Sequence, residues 1–168
     1  AHTYEIYGPL VNGVSEVIYE GTPNTPHFGR HFEVIERYGV TNYYTAPTLI
    51  RSLMGAFPNG PEPGKYDFST VRLLGSVGES INPEAWRWLR QHVGGGTAAF
   101  IDTWWQSETG STVCSPRPHD PAFAPEGTYP EGTPHCTPLP GCATRAVPGV
   151  STRVGGEHGD PGEPGKQG

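Results

Sequence analysis

Through residue 110 the apolar positions switch between strand-like runs and helical spacing. Residues 15–20 (SEVIYE) carry Val17, Ile18 and Tyr19 in succession, which predicts a strand stopped by Gly21. In residues 28–38 (FGRHFEVIERY), Phe28, Phe32, Ile35 and Tyr38 recur at spacings of four, three and three, predicting an amphipathic helix that ends at Gly39. Residues 40–45 (VTNYYT) are again β-branched and aromatic. Pro47 then suits the first turn of a short helix whose apolar side is Leu49, Leu53 and Met54. Residues 57–68 read as a polar loop, and residues 71–77 (VRLLGSV) as a buried strand. Asn82, Pro83 and Glu84 combine an N-cap, a first-turn proline and an acid for the helix dipole; Trp86, Leu89 and Val93 follow on the buried side before Gly94. Residues 98–101 (AAFI) form a short apolar strand.

This alternation predicts an α/β fold: a partial, mostly parallel sheet with flanking helices. Crossovers of one hand place every strand C-terminus on the same edge. Beyond residue 110 the pattern fades into a Pro/Gly-rich loop region with short strands, expected at residues 111–115 and 150–154. The organisation read from this is an α/β core over 1–115, a Pro/Gly-rich loop or insertion over 116–140, and the start of a β-rich part over 141–168. The chain opens at Ala1 with its one methionine at Met54 and closes on a Gly/Pro run, which reads as an internal piece of a longer polypeptide.

Composition narrows the class. The chain has 168 residues, a net charge of −6 and 11 scattered Lys and Arg, so a nucleic-acid partner is not expected. No apolar run approaches the roughly 20 residues of a membrane span. Cys114, Cys136 and Cys142 show no CxxC spacing, which argues against a disulfide framework or zinc site and for reduced thiols in the cytoplasm. The histidines show no metal-ligand spacing.

Two segments carry candidate chemistry because each directly follows a predicted strand. They are Gly78, Glu79 and Ser80, and residues 102–110 (DTWWQSETG). In open α/β sheets ligands sit beyond the strand C-termini, so both segments should face one crevice. Gly78 permits close backbone approach. Thr103, Gln106, Ser107 and Thr109 offer hydroxyls and an amide to phosphate or ribose oxygens, and Asp102 can accept from ribose hydroxyls. Glu108 is a hard oxygen donor of the kind Mg²⁺ uses alongside phosphates. Trp104 and Trp105 can wall a small pocket. The same residues suit plain packing and turn capping, and composition alone does not separate the two readings.

The string DTWWQSETG resembles the adenylate-site motif of the AMP-forming acetyl-CoA synthetases, usually DTWWQTETG. Residues 19–24 (YEGTPN), 43–53 (YYTAPTLIRSL), 74–86 (LGSVGESINPEAW) and 141–149 (GCATRAVPG) resemble further segments of that family in the family's order. The resemblance implies the middle of the large N-terminal adenylation domain. It implies that Gly78, Glu79 and Ser80 line the adenine, and that Asp102, Thr103, Trp104, Trp105, Gln106 and Ser107 contact the ribose and α-phosphate. By the same resemblance Glu108 associates with Mg²⁺, Trp105 closes a short acyl pocket beside Val77, and Asn24 lies near the CoA path. No acid–base or nucleophilic side chain is implied within these residues.

The implied activity is that of an acetate–CoA ligase. Acetate and MgATP give acetyl-adenylate, and CoA then displaces AMP. Partners are these small molecules and the remainder of the parent chain. A propionyl-CoA or other short-chain acyl-CoA synthetase is the neighbouring alternative; a non-catalytic remnant acting as a binding module is another. The sequence departs from the family pattern at Ser80 (usually Pro), Ser107 (usually Thr) and Cys142 (usually Ser), and in the length of 116–140. The family's phosphate loop and C-terminal domain fall outside these residues, so the isolated chain is expected to be inactive.

Overall fold

The computed structural model describes residues 2–117, 140–143 and 145–153. A π-helical turn (His2–Tyr7) runs into the short helix α1 (Gly8–Val11). Then follow α2 (Arg30–Tyr38), β1 (Asn42–Thr45), α3 (Pro47–Ala56), β2 (Leu73–Ser76), α4 (Pro83–His92) and β3 (Ala99–Asp102). A hairpin of β4 (Trp104–Trp105) and β5 (Thr112–Cys114) completes the order.

The main sheet has the order β1-β2-β3 and is parallel throughout. Its three strands therefore end together, at Thr45, Ser76 and Asp102, which are in register. Two successive crossovers of one hand, moving in one direction across the sheet, put α3 and α4 on the same face; the two helices pack against each other there. Alternation along the strands gives each face its own residues. Tyr43, Leu74 and Phe100 align on the helix-covered face, where Leu74 and Phe100 are buried with Phe32, Ile35, Ile50, Leu53 and Leu89. Tyr44, Gly75 and Ile101 align on the other face.

Three helix boundaries have local causes. Gly39 takes the left-handed conformation (φ 57°) that terminates α2, as its position in the pattern predicts. Pro47 and Pro83 occupy the first turns of α3 and α4. Asn82 stands at the N-cap with extended backbone, but its side chain makes no capping bond.

Four expectations are corrected. Helix α2 starts at Arg30, so Phe28 and Tyr38 stay exposed while Phe32 and Ile35 carry the burial. Residues 15–20 form no strand: Val17 and Ile18 are exposed, and no neighbouring strand pairs with them among the described residues. High β propensity without a ladder partner and a face to bury does not make a strand. Residues 150–153 are likewise not a strand; the Val150 N–H closes a turn on Val147 O at 3.1 Å. Residues 57–68 are a loop, as expected, but not a purely polar one. Phe57, Tyr66 and Phe68 each set their ring centroid 5.4 Å from that of Phe32.

The expected strand at 111–115 is present as β5. Residues 145–147 run antiparallel to it, with Ser115 N–H on Arg145 O and Val147 N–H on Val113 O, both 2.9 Å. Most of the insertion read at 116–140 lies outside the described residues.

Candidate functional site

The rim formed by the C-terminal ends of β1, β2 and β3 gathers both candidate segments. Gly78, Glu79 and Ser80 leave β2 and are exposed; Val77 before them is half-buried and donates to Thr45 O at 3.1 Å. Gly78 has φ 98°, a conformation other residues rarely adopt, and a Cβ there would meet nothing within 4 Å. Its glycine is required by the backbone turn, and the space above it is open.

The second segment begins inside the sheet. Asp102 is the last residue of β3 and is 6% exposed. Its Oδ1 accepts from Ser76 Oγ at 2.6 Å, tying the ends of β3 and β2 together. Burial pushes its carboxyl above the ordinary range, while the Ser76 hydroxyl and the Thr103 N–H pull it back. Thr103 is buried as well. Its hydroxyl donates to Ser76 O at 2.9 Å and meets the Tyr44 hydroxyl. Asp102 and Thr103 thus face their own protein rather than open solvent.

From Trp104 the chain turns outward. Trp104 is 47% exposed and Trp105 half-buried, so neither is a core tryptophan. From sequence both follow a strand without assignment to an element of their own. They form β4, paired antiparallel with β5, with an irregularity between the two residues. The turn joining the strands holds Ser107 and Glu108 exposed. Gln106 and Thr109 build that turn through a reciprocal capping box. Thr109 Oγ1 accepts from Gln106 N–H at 3.1 Å and lies 2.8 Å from Gln106 O and 2.9 Å from Ser111 O, so its hydroxyl serves the turn. Among the described residues no group of three His, Cys, Asp or Glu could hold a metal ion. Glu108 offers one exposed carboxylate, which fits a Mg²⁺ that arrives with phosphate oxygens and water.

Glu79 does not stand alone at the rim. Its Oε1 accepts from the Thr48 backbone N–H at 2.9 Å and from the Thr48 hydroxyl, and its Oε2 from Arg51 Nη2 at 2.8 Å. These bonds, Thr48 first and Arg51 next, hold its carboxyl below the usual range. Asn24 is separate in the chain, exposed in a turn closed by Thr25 N–H on Thr22 O at 3.1 Å.

Sequence reasoning missed five members of this rim: Tyr44, Thr48, Arg51, Gly75 and Ser76. It also missed Thr112, opposite Trp105, whose buried hydroxyl has no partner among the described residues. The aligned register of three short strands is the signal that would have found Tyr44, Gly75 and Ser76.

The Ser76–Asp102 tie is testable. A carboxyl raised in the folded state favours folding when protonated; that contribution is full below its unfolded pKa and is lost as pH rises through the folded pKa. Removing the hydroxyl that stabilises the carboxylate therefore costs most at neutral pH. Ser76→Ala is expected to lower stability by about 2 kcal/mol at pH 7, as for a hydrogen bond to a charged group. Urea unfolding should show that loss shrink as the pH is lowered below the folded pKa of Asp102; a loss independent of pH contradicts the assignment.

A family model described as "AMP-binding enzyme" matches residues 1–168. The chain is 56% identical over 146 residues to the acetyl-coenzyme A synthetase of Mycolicibacterium smegmatis, covering 87% of the chain and 15% of that protein. It is 52% identical over 168 residues to the acetyl-coenzyme A synthetase of Mycobacterium tuberculosis, covering 99% of the chain and 23% of that protein. The chain therefore spans less than a quarter of the length of these relatives. Among solved structures, an anthranilate CoA ligase in complex with anthranoyl-AMP has a similar fold. The TM-score is 0.67 at 20% identity, covering 90% of this chain and 24% of that one.

Proposed function

The chain belongs to the AMP-binding enzyme family, and from that premise we propose that it is part of the adenylation domain of an acetate–CoA ligase. An acetate oxygen attacks the α-phosphorus of MgATP, the bond to the β-phosphate breaks, and acetyl-adenylate and pyrophosphate form. The CoA sulfur then attacks the acetyl carbonyl, and AMP leaves. The observation that carries this reading is the in-register pairing of Ser76 with Asp102, which brings the Gly78–Glu79–Ser80 turn and the 102–107 segment out of adjacent strands.

In this reading the exposed turn at Gly78, Glu79 and Ser80 receives the adenine. Asp102 and Thr103 act from within the sheet, fixing the backbone that leads to Trp104, Trp105, Gln106 and Ser107 at the ribose and α-phosphate. Glu108 meets the Mg²⁺ carried by the nucleotide, which supplies charge neutralisation at the phosphates. Trp105 and Val77 limit the acyl group, and Asn24 belongs to the CoA path. Rate acceleration then comes from positioning and from fixed donors facing developing charge.

The remainder of the parent chain is a partner in the same sense. Tyr7, Leu10, Val11 and Ile18 are exposed, Val11 and Ile18 at 86% each, apolar side chains suited to cover by further polypeptide. The free thiols Cys114 and Cys142 suit a cytoplasmic location. No helix among the described residues is long and apolar enough to cross a membrane.

The test is ATP–pyrophosphate exchange driven by acetate, propionate and butyrate. The full-length polypeptide is expected to exchange with acetate, and the 168-residue chain alone with none of the three. Exchange driven best by propionate or butyrate overturns the acetate assignment. Absence of acid-dependent exchange by the full-length protein overturns the ligase reading.

A further inference from the structure

We propose that Thr48 and Arg51, at the start of α3, are positioning residues that set the adenine-facing turn through Glu79. The inference rests on the ligase reading above and assigns a role to two residues for which the family resemblance implied none.

The turn at Gly78, Glu79 and Ser80 has little to hold it. Its three residues are exposed, and Gly78 makes no close contact through the position a Cβ would take. What fixes it is the Glu79 side chain, which reaches across to a helix that begins 32 residues earlier in the chain, at Pro47. Helix α3 begins with Ala46 at its N-cap and Pro47 next, neither of which supplies a side-chain cap. The Thr48 N–H is thus a helix-end donor in need of an acceptor, and Glu79 Oε1 fills that need at 2.9 Å. Arg51, one turn along, donates through Nη2 both to Glu79 Oε2 at 2.8 Å and to Thr48 Oγ1 at 2.9 Å. Glu79 therefore accepts from three groups of a single helix, and both of its oxygens are engaged.

The consequence for function follows from the same geometry. With its carboxylate committed to α3, Glu79 presents backbone rather than charge to the open side of the turn. That suits an adenine, a flat neutral ring, better than a free carboxylate would. The tie also couples the turn after β2 to the helix after β1, so the rim is set by two loops at once. Arg51 and Glu79 side chains are 42% and 40% exposed, so the pair contributes little to global stability. Its loss should be felt where the turn is used.

The experiment uses the full-length polypeptide that carries these residues, with ATP affinity measured by calorimetry and steady-state KM by pyrophosphate exchange. Arg51→Ala is expected to weaken ATP binding and raise the KM for ATP by about fivefold, the scale of one exposed ion pair. The KM for acetate and kcat should stay within twofold, because uniform nucleotide binding is what is lost. Thr48→Ser keeps the bonds and should bind ATP like the wild type. Arg51→Lys keeps a cation and should recover at least half of the loss. Equal rises in the KM for ATP and acetate, or unchanged ATP affinity in Arg51→Ala, overturn the inference while leaving the ligase reading in place. A wild-type protein without acid-dependent exchange removes that reading and this inference with it.

Discussion

Replacing Gly75 by valine is expected to destabilise the fold by about 3 kcal/mol, the upper end of the usual cost of overpacking. Gly75 sits in the middle of β2, between Tyr44 on β1 and Ile101 on β3. A Cβ at this position would overlap the Tyr44 ring and lie 3.3 Å from Ile101 Cγ1. The ring cannot withdraw without consequence, because its hydroxyl meets that of Thr103 at the start of the second candidate segment. Valine therefore acts twice: it strains the sheet, and it releases Tyr44 from Thr103. Urea unfolding measures the first effect. The second appears as weaker ATP binding by the full-length protein, beyond what the stability loss explains. A valine variant within about 1 kcal/mol of the wild type would show that the Tyr44 ring does not cover Gly75, against the overpacking cost expected here.

The other large effect concerns the acid substrate. Trp105 is half-buried on β4, opposite Thr112, with an irregular register that turns it relative to Trp104. If its indole limits the acyl group, Trp105→Ala should lower kcat/KM for acetate and raise it for butyrate. The preference ratio should shift by roughly 100-fold, the range that pocket volume alone can supply for one or two methylenes. The full-length variant, assayed with both acids, gives this ratio directly. Equal losses with both acids would make Trp105 a hairpin residue with no part in selecting the substrate.

The sheet was largely legible because its signals are local. Gly39 stops α2 through its own left-handed backbone, and Pro47 and Pro83 open α3 and α4 through their fixed φ. Apolar runs before Gly78 and before Asp102 became β2 and β3, and parallel topology brought their ends together. Two misses were non-local. Val17, Ile18 and Tyr19 have strand propensity, but no neighbour pairs with them among the described residues. Phe57, Tyr66 and Phe68 have no periodicity, and only the fold shows that they surround Phe32.

The site repeats that division. The motif located the exposed residues Ser107 and Glu108, which chain position alone places on a turn. It gave no sign that Asp102 and Thr103 point into the sheet, since that depends on register with Ser76 and Tyr44. Nor did it show that Glu79 serves as the cap of a helix formed much earlier in the chain. A residue at a strand end reads from sequence as facing ligand. Whether its side chain instead binds its own scaffold is decided by partners the local sequence does not contain.

In the proposed function, the turn after β2 and the segment after β3 grip one nucleotide between them. A crystal structure of the full-length polypeptide with a non-hydrolysable acetyl-adenylate analogue tests it most directly. The adenine is expected against the backbone of Gly78, Glu79 and Ser80, and the ribose and phosphate against residues 104–107 of the same chain. An analogue bound elsewhere, or touching only one of the two segments, contradicts it.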